Sequence, residues 1–284
     1  MYQLWDINDI KYILKKHGFA FSKALGQNFI IDPAVCPAIA DCAGITSEDY
    51  VLEIGPGIGV LTAELCARAK KVVAIELDKR LPAILADTLA AFENFTLVEG
   101  DVLKLDLAAL FREHFPVGQR IKICANLPYY ITSPVIMGFL ESGLPIESIT
   151  VMVQKEAGER LCAAVGSKDA GAVTVAVNYY AEAHEEFFVP KDSFLPSPKV
   201  DSEVIHLVLR DTPPVQTDEA LFFKVVKAAF LQRRKSAANS LSAGLSLPKA
   251  EVIAMLETLG FEAGVRAETF TMKDFATITA YLRQ

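Results

Sequence analysis

Tyr50-Val-Leu-Glu-Ile-Gly-Pro-Gly-Ile-Gly59 is an apolar run of strand character that stops in a glycine-rich turn. A strand, a glycine turn and the start of a helix, in that order, open a βαβ unit. The chain then repeats the theme. Apolar runs at 71–75, 95–98, 121–125 and 149–153 alternate with helical stretches near 61–69, 81–91, 105–115 and 134–141. This alternation predicts an α/β fold, a Rossmann-like sheet with helices on both faces. Ligands in such sheets bind beyond the carboxyl ends of the strands, so polar residues at those ends are the candidates for function.

The first strand ends at Gly55 and Gly57, where the backbone can pass close to a ligand and the helix N-terminus favours a negative group such as a carboxylate. The pattern G-x-G-x-G departs from the dinucleotide fingerprint G-x-G-x-x-G, which points away from NAD. Glu76 closes the second strand, where a carboxylate can accept both ribose hydroxyls. Asp101 closes the third, placed to accept from an adenine amino group, and Asn126 closes the fourth. A glycine loop, a ribose acid, an adenine acid and an Asn at successive strand ends is the order expected for S-adenosylmethionine. The sulfonium activates its own methyl group, so direct displacement needs only alignment and exclusion of water.

Asn126-Leu-Pro-Tyr-Tyr130 offers two acceptors, the Asn126 side-chain oxygen and the Pro128 carbonyl, beside the flat ring of Tyr129. That set suits an exocyclic amino group on a nucleobase, whose lone pair is delocalised until acceptors hold its hydrogens. Asn and Pro are also ordinary turn residues. Phe194, in Phe194-Leu-Pro-Ser-Pro198, either covers the other face of a base or packs in the core. The stretch Lys23-Ala-Leu-Gly-Gln-Asn-Phe-Ile-Ile31 reads as a loop that folds over a ligand or as a plain connector.

Further along, a helix is expected near 155–164 and strands over 172–183 and 200–209, with an antiparallel member completing the sheet. Asp211-Thr-Pro-Pro-Val-Gln-Thr-Asp218 is a linker by composition. Beyond it the pattern is helical, from Glu219 to about Arg234, from Pro248 to Leu259 and from Thr271 to Arg283. Two domains are therefore expected, 1–213 for cofactor and catalysis and 214–284 helical and RNA-binding.

The net charge is −7, yet its distribution is uneven. Ile10 to Ile31 holds Lys11, Lys15, Lys16 and Lys23 with no acid, and Leu221 to Lys249 holds Lys224, Lys227, Arg233, Arg234, Lys235 and Lys249 with none. With those ten set aside, 18 bases remain against 35 acids, so the rest of the chain carries −17. An acidic chain with two basic patches fits a phosphate-binding face, or two solvated helix faces. At helical spacing Lys224, Lys227, Arg234 and Lys235 fall opposite Phe222, Val225, Val226 and Ala229. The five scattered cysteines and four isolated histidines lack metal-ligand spacing, so no metal is expected. No apolar window suits a membrane span and the start lacks a signal-peptide pattern, so a cytoplasmic protein without membrane attachment is expected.

On the motifs Leu25-Gly-Gln-Asn-Phe-Ile30, Glu53-Ile-Gly-Pro-Gly-Ile-Gly59, Glu76-Leu-Asp78, Glu99-Gly-Asp101, Asn126-Leu-Pro-Tyr-Tyr130, Phe194-Leu-Pro-Ser-Pro-Lys-Val-Asp-Ser202, Phe230-Leu-Gln-Arg-Arg-Lys235 and Arg266-Ala-Glu268, the chain resembles the bacterial small-subunit (16S) ribosomal RNA adenine N6-dimethyltransferases over nearly its whole length. The resemblance implies transfer of two methyls to N6 of each of two adjacent adenosines in the hairpin near the 3′ end of the small-subunit RNA. It implies an immature small subunit as the partner and a role late in assembly; a monomer is expected. By the same resemblance Asn28 and the backbone at Ile30 join Gly55, Glu76, Asp101 and Asn126 around the cofactor, and Asn126, Tyr129 and Phe194 frame the base. The family usually has Leu where Ile30 stands, and many members carry an aromatic where this chain has Ala170. Macrolide-resistance methyltransferases of large-subunit RNA share the cofactor motifs, and a non-catalytic RNA-binding factor on the same fold is the other alternative.

Overall fold

The computed structural model describes residues 2–22, 26–232, 234–262 and 264–283. The chain forms two compact units, Met1–Gly158 with His184–Leu209 and Glu159–Ala183 with Arg210–Gln284.

The first unit opens with α1 (Ile7–Lys16), capped by the Asp6 carboxylate, which accepts from the N–H groups of Asn8 and Asp9. Ile10, Ile13 and Leu14 form its buried stripe. After β1 (Phe29–Ile30) and α2 (Val35–Cys42) come β2 (Tyr50–Ile54), α3 (Val60–Arg68), β3 (Lys71–Glu76), α4 (Pro82–Thr88), β4 (Phe95–Glu99), α5 (Leu107–His114), β5 (Ile121–Asn126), α6 (Thr132–Leu140) and β6 (Ile146–Gln154). Strand pairs β2–β3, β2–β5, β3–β4 and β5–β6 are all parallel. Their residues are apolar almost without break because both faces of the sheet are covered.

From β6 the chain continues through α7 (Lys155–Cys162), α8 (Ala172–Tyr180), β7 (Ala181–Val189), β8 (Phe194–Leu195) and β9 (Ser202–Leu209). The seven-stranded sheet runs β4-β3-β2-β5-β6-β9-β7, with β9 antiparallel to β6. Chain direction across the sheet reverses between β2 and β5, which makes their carboxyl ends the switch point. A separate two-stranded ladder joins β1 to β8, pairing Phe29 with Leu195 and Ile30 with Phe194.

The second unit contains α8 with α9 (Glu219–Ala229), α10 (Ala237–Leu245), α11 (Lys249–Thr258) and α12 (Met272–Leu282), around a core that includes Tyr179, Phe222, Phe270 and Phe275. Thr271 and Asp274 form the capping box that starts α12.

Three expectations are corrected. Residues 172–183 are not a strand: α8 occupies Ala172–Tyr180 and the strand begins at Ala181. The β-branched and aromatic residues there have strand propensity, but Val175 and Tyr179, one helical turn apart, bury together against Phe222 and its neighbours, and tertiary packing overrides propensity. The helix from Glu219 ends at Ala229 rather than near Arg234. The next helix, α10, packs on α9 so closely that a Cβ at Gly244 would lie 2.5 Å from the Ala228 Cα. Finally, the helical unit does not begin at 214: it also takes Glu159–Ala183, because the buried side chains of α8 belong to its core.

Candidate active site

A solvent-open cavity lies beyond the carboxyl ends of the parallel strands. Asn28, Ile30, Gly55, Gly57, Glu76, Asp101, Asn126, Pro128, Tyr129 and Phe194 all line it.

Gly55 and Gly57 both sit at positive φ, +71° and +59°. At Gly57 a Cβ would also come within 3.2 Å of the Phe29 ring, so conformation and space both call for glycine. The Glu76 carboxylate is tied down by the backbone N–H of Asp78, at 2.7 Å, and by that of Gly57. Burial pushes its pKa up, and these N–H groups oppose the rise. Asp101 Oδ1 accepts from the Leu103 N–H at 3.1 Å, and Oδ2 faces the exposed Lys104 at 3.2 Å.

Asn126 is oriented by its own amide. Its Nδ2 donates to the backbone carbonyl of Asn28 at 3.2 Å, which leaves Oδ1 as the acceptor available to a ligand. The Pro128 carbonyl accepts from the Ile131 N–H at 3.1 Å and, over a longer distance of 3.5 Å, from the Thr132 hydroxyl. The Tyr129 hydroxyl meets Ser202 Oγ at 3.0 Å, fixing a half-buried ring whose pKa burial raises. Phe194 packs in the core at 3% exposure and also lines the cavity. Its pairing with Ile30 carries it on the same small ladder as the loop that crosses the cavity.

One clamp escaped sequence reasoning. Gln27 accepts from the Ser22 N–H at 2.9 Å and donates to Asp78 Oδ2 at 2.8 Å. Asp78 is also held by Arg80, which keeps its carboxyl below the usual range. Arg80 lies 4.6 Å over the Phe19 ring and donates to the Ala20 carbonyl at 3.0 Å. The signal was present in the amides of the 26–28 stretch and in the Glu76-x-Asp78 spacing, but nothing local joins residues some 50 positions apart.

In the helical unit, Lys224 and Lys227 are exposed on α9, and Arg234 and Lys235 are exposed in the turn that follows it. The single helical face expected for these four is thus a helix face plus a turn. Arg233 lies outside the described residues. Among the described residues, no group of three or more His, Cys, Asp or Glu is placed to hold a metal ion.

A Rossmann-like sheet with glycines, Glu76, Asp101 and Asn126 around one cavity defines a methyltransferase that uses S-adenosylmethionine; the residues fit that cofactor, because the cavity is lined by three acids and, among the described residues, by no Lys, Arg or His. The model of the family described as ribosomal RNA adenine dimethylase matches residues 18–284. The chain is 47% identical over 276 residues to ribosomal RNA small subunit methyltransferase A of Bacillus mycoides, covering 96% of this chain and 94% of the relative, and equally similar to that of Bacillus cereus. Among solved structures, a dimethyladenosine transferase from Plasmodium falciparum aligns with a TM-score of 0.73 at 26% identity, covering 89% of this chain and 97% of that one. The 23S rRNA methyltransferase ErmE aligns with a TM-score of 0.66 at 27% identity, covering 90% and 100%. The chain belongs to the ribosomal RNA adenine dimethylase family.

Proposed function

We propose that this protein dimethylates N6 of two adjacent adenosines in the 3′-terminal hairpin of small-subunit ribosomal RNA. The observation that carries the reading is the Asn126 amide, whose Nδ2 is committed to the Asn28 carbonyl so that Oδ1 is left to accept in the cavity that Pro128 also lines. When bound, S-adenosylmethionine supplies a methyl group already activated by its sulfonium. The chain's own work is to hold the acceptor nitrogen. Asn126 Oδ1 and the Pro128 carbonyl take the two amino hydrogens, the long bond from the Thr132 hydroxyl giving way, which turns the nitrogen lone pair out of the ring plane. Tyr129 and Phe194 keep the base flat and shed water from it. Held in this way by Asn126 and Pro128, the nitrogen would accept the methyl group that the cofactor supplies and would release one proton to solvent. After the first transfer one hydrogen remains, so the second transfer needs only one of the two acceptors.

Gly55, Gly57, Glu76, Asp101, Asn28 and the backbone at Ile30 would hold the cofactor. Lys224, Lys227, Arg233, Arg234 and Lys235 would hold RNA phosphates in an immature small subunit, late in assembly. A cytoplasmic monomer suits that role, and no helix among the described residues is long and apolar enough to cross a membrane.

The test is nucleoside mass spectrometry of both ribosomal RNAs after incubation of the pure protein with S-adenosylmethionine and unmodified small and large subunits. Dimethyladenosine confined to the small-subunit RNA is the expected result. Its appearance in large-subunit RNA would move the protein to the resistance type, and its absence from both would leave a binding factor.

A further inference from the structure

Two adjacent residues ahead of β1 hold opposite sides of the cavity. Gln27 donates from Nε2 to Asp78 Oδ2 at 2.8 Å, just beyond the end of β3. The carbonyl of Asn28 accepts from Asn126 Nδ2 at 3.2 Å, at the end of β5. β3 and β5 flank β2, so their ends stand two strand spacings, about 10 Å, apart. Consecutive Cα atoms are only about 3.8 Å apart, so the Asn28 carbonyl cannot keep its place if Gln27 moves far. The supports differ in firmness. Asp78 is 7% exposed, its Oδ1 accepts from Arg80 Nε at 2.8 Å and from the Arg80 N–H at 3.1 Å, and its own N–H donates to Glu76 at 2.7 Å. It is a fixed post. The Asn28 carbonyl is held on one side by the short ladder of β1 and β8, which begins only at Phe29. On the other side Gly26 turns at a φ of +61°, and Asn28 Nδ2 donates to the Gly26 carbonyl at 3.2 Å. The Gln27 side chain ties this turn to the post.

We propose that Gln27 is a positioning residue for methyl transfer: by fastening its segment to Asp78 it fixes the Asn28 carbonyl, and that carbonyl aims the Asn126 oxygen at the acceptor amino group. The inference rests on the function proposed above. An amide has two ends of nearly the same shape, so a half turn of the Asn126 side-chain amide would put a donor where an acceptor is needed. The bond to the Asn28 carbonyl selects the orientation. At 3.2 Å it lies at the long end of the normal range, so a small shift of its acceptor weakens it. Gln27 has both polar atoms committed, its oxygen to the Ser22 N–H at 2.9 Å and its nitrogen to Asp78. Its side chain therefore acts through the backbone it anchors rather than on a ligand.

The experiment is a double-mutant cycle on the full chain, with Gln27→Ala, Asn126→Ala and the two combined. Single-turnover methyl transfer to unmodified small subunits is measured at saturating S-adenosylmethionine, and calorimetry gives the cofactor's affinity for each variant. Gln27→Ala should slow transfer about tenfold when Asn126 is present, the scale of one lost hydrogen bond. It should slow transfer about twofold or less in the Asn126→Ala background, because no amide is left to aim. The cofactor's affinity should fall about threefold at most. An unchanged rate, a loss confined to cofactor affinity, or the same tenfold loss in both backgrounds overturns the proposal and leaves the proposed function standing. Absence of methyl transfer by the wild-type protein, or full transfer by Asn126→Ala, removes the proposed function and this inference with it. Should Gln27→Ala melt well below the wild-type protein, Gln27→Met, of similar length and without a hydrogen-bonding amide, takes its place in the cycle with the same expectations.

Discussion

The cavity at the strand ends carries Glu53, Glu76 and Asp101 and, among the described residues, no Lys, Arg or His, whereas α9 and the turn after it carry Lys224, Lys227, Arg234 and Lys235 in a stretch that has no acid. Both are charged surfaces, yet they work in opposite regimes. Glu76 and Glu53 are 7% and 1% exposed, so their charges are little screened, depend on pH and act one residue at a time. The four bases are exposed, so each contributes little alone and salt weakens the set. The net charge of −7 describes neither surface. What a residue contributes is decided by its surroundings more than by its sign.

The largest expected effect falls in the cavity, on a neutral side chain. Asn126→Ala should lower single-turnover methyl transfer by about 10²–10³-fold, the scale of losing one preorganised hydrogen-bonding group at a reacting centre. Calorimetry should find the cofactor's affinity changed only a few-fold. Full transfer activity in this variant would refute the amino-group role. Next comes Glu76→Gln, expected to weaken S-adenosylmethionine binding by about 10- to 100-fold, as loss of a charged acceptor does, with little dependence on salt. A strong salt dependence of that loss would break the contrast drawn between the two surfaces.

On the exposed side, changing Lys224, Lys227, Arg234 and Lys235 together to Gln should weaken RNA binding about tenfold and flatten its slope against salt by about 0.7 for each phosphate no longer neutralised. Filter binding over a salt series checks both numbers, and an unchanged slope would remove these residues from the RNA surface. The smallest effect is expected from Tyr129→Phe. It keeps the ring and loses only the bond to Ser202, so transfer should slow about three- to tenfold. A drop as deep as that of Asn126→Ala would give the hydroxyl a direct part in the chemistry.

Much of the site was legible because its residues sit at fixed offsets from strand ends. A strand that reads clearly, such as Tyr50–Ile54 or Ile121–Asn126, places the next residue at the switch point without further information. The orientation of Asn126 was not legible, since its partner carbonyl is 98 positions earlier in the chain. Nor was the Gln27–Asp78–Arg80 clamp, for the same reason of distance along the chain. Phe194 stayed undecided between base and core because both roles ask for a buried aromatic.

By itself the sequence determined the parallel sheet, the acids at its strand ends, the Asn126-Leu-Pro-Tyr129 segment that follows the fourth of its strands and the two basic stretches. Each is written in neighbouring residues through periodicity, strand length or charge. Tertiary structure alone decided that Ala172–Tyr180 is a helix and that α9 stops at Ala229. It also decided that Glu53 is buried without a partner for Oε2. The physical reason is common to all three. Local propensities differ by only about 1 kcal/mol, while burying Val175 and Tyr179 against Phe222, bringing Gly244 against Ala228, or closing helices over a carboxyl involves larger energies set by residues far away in the chain.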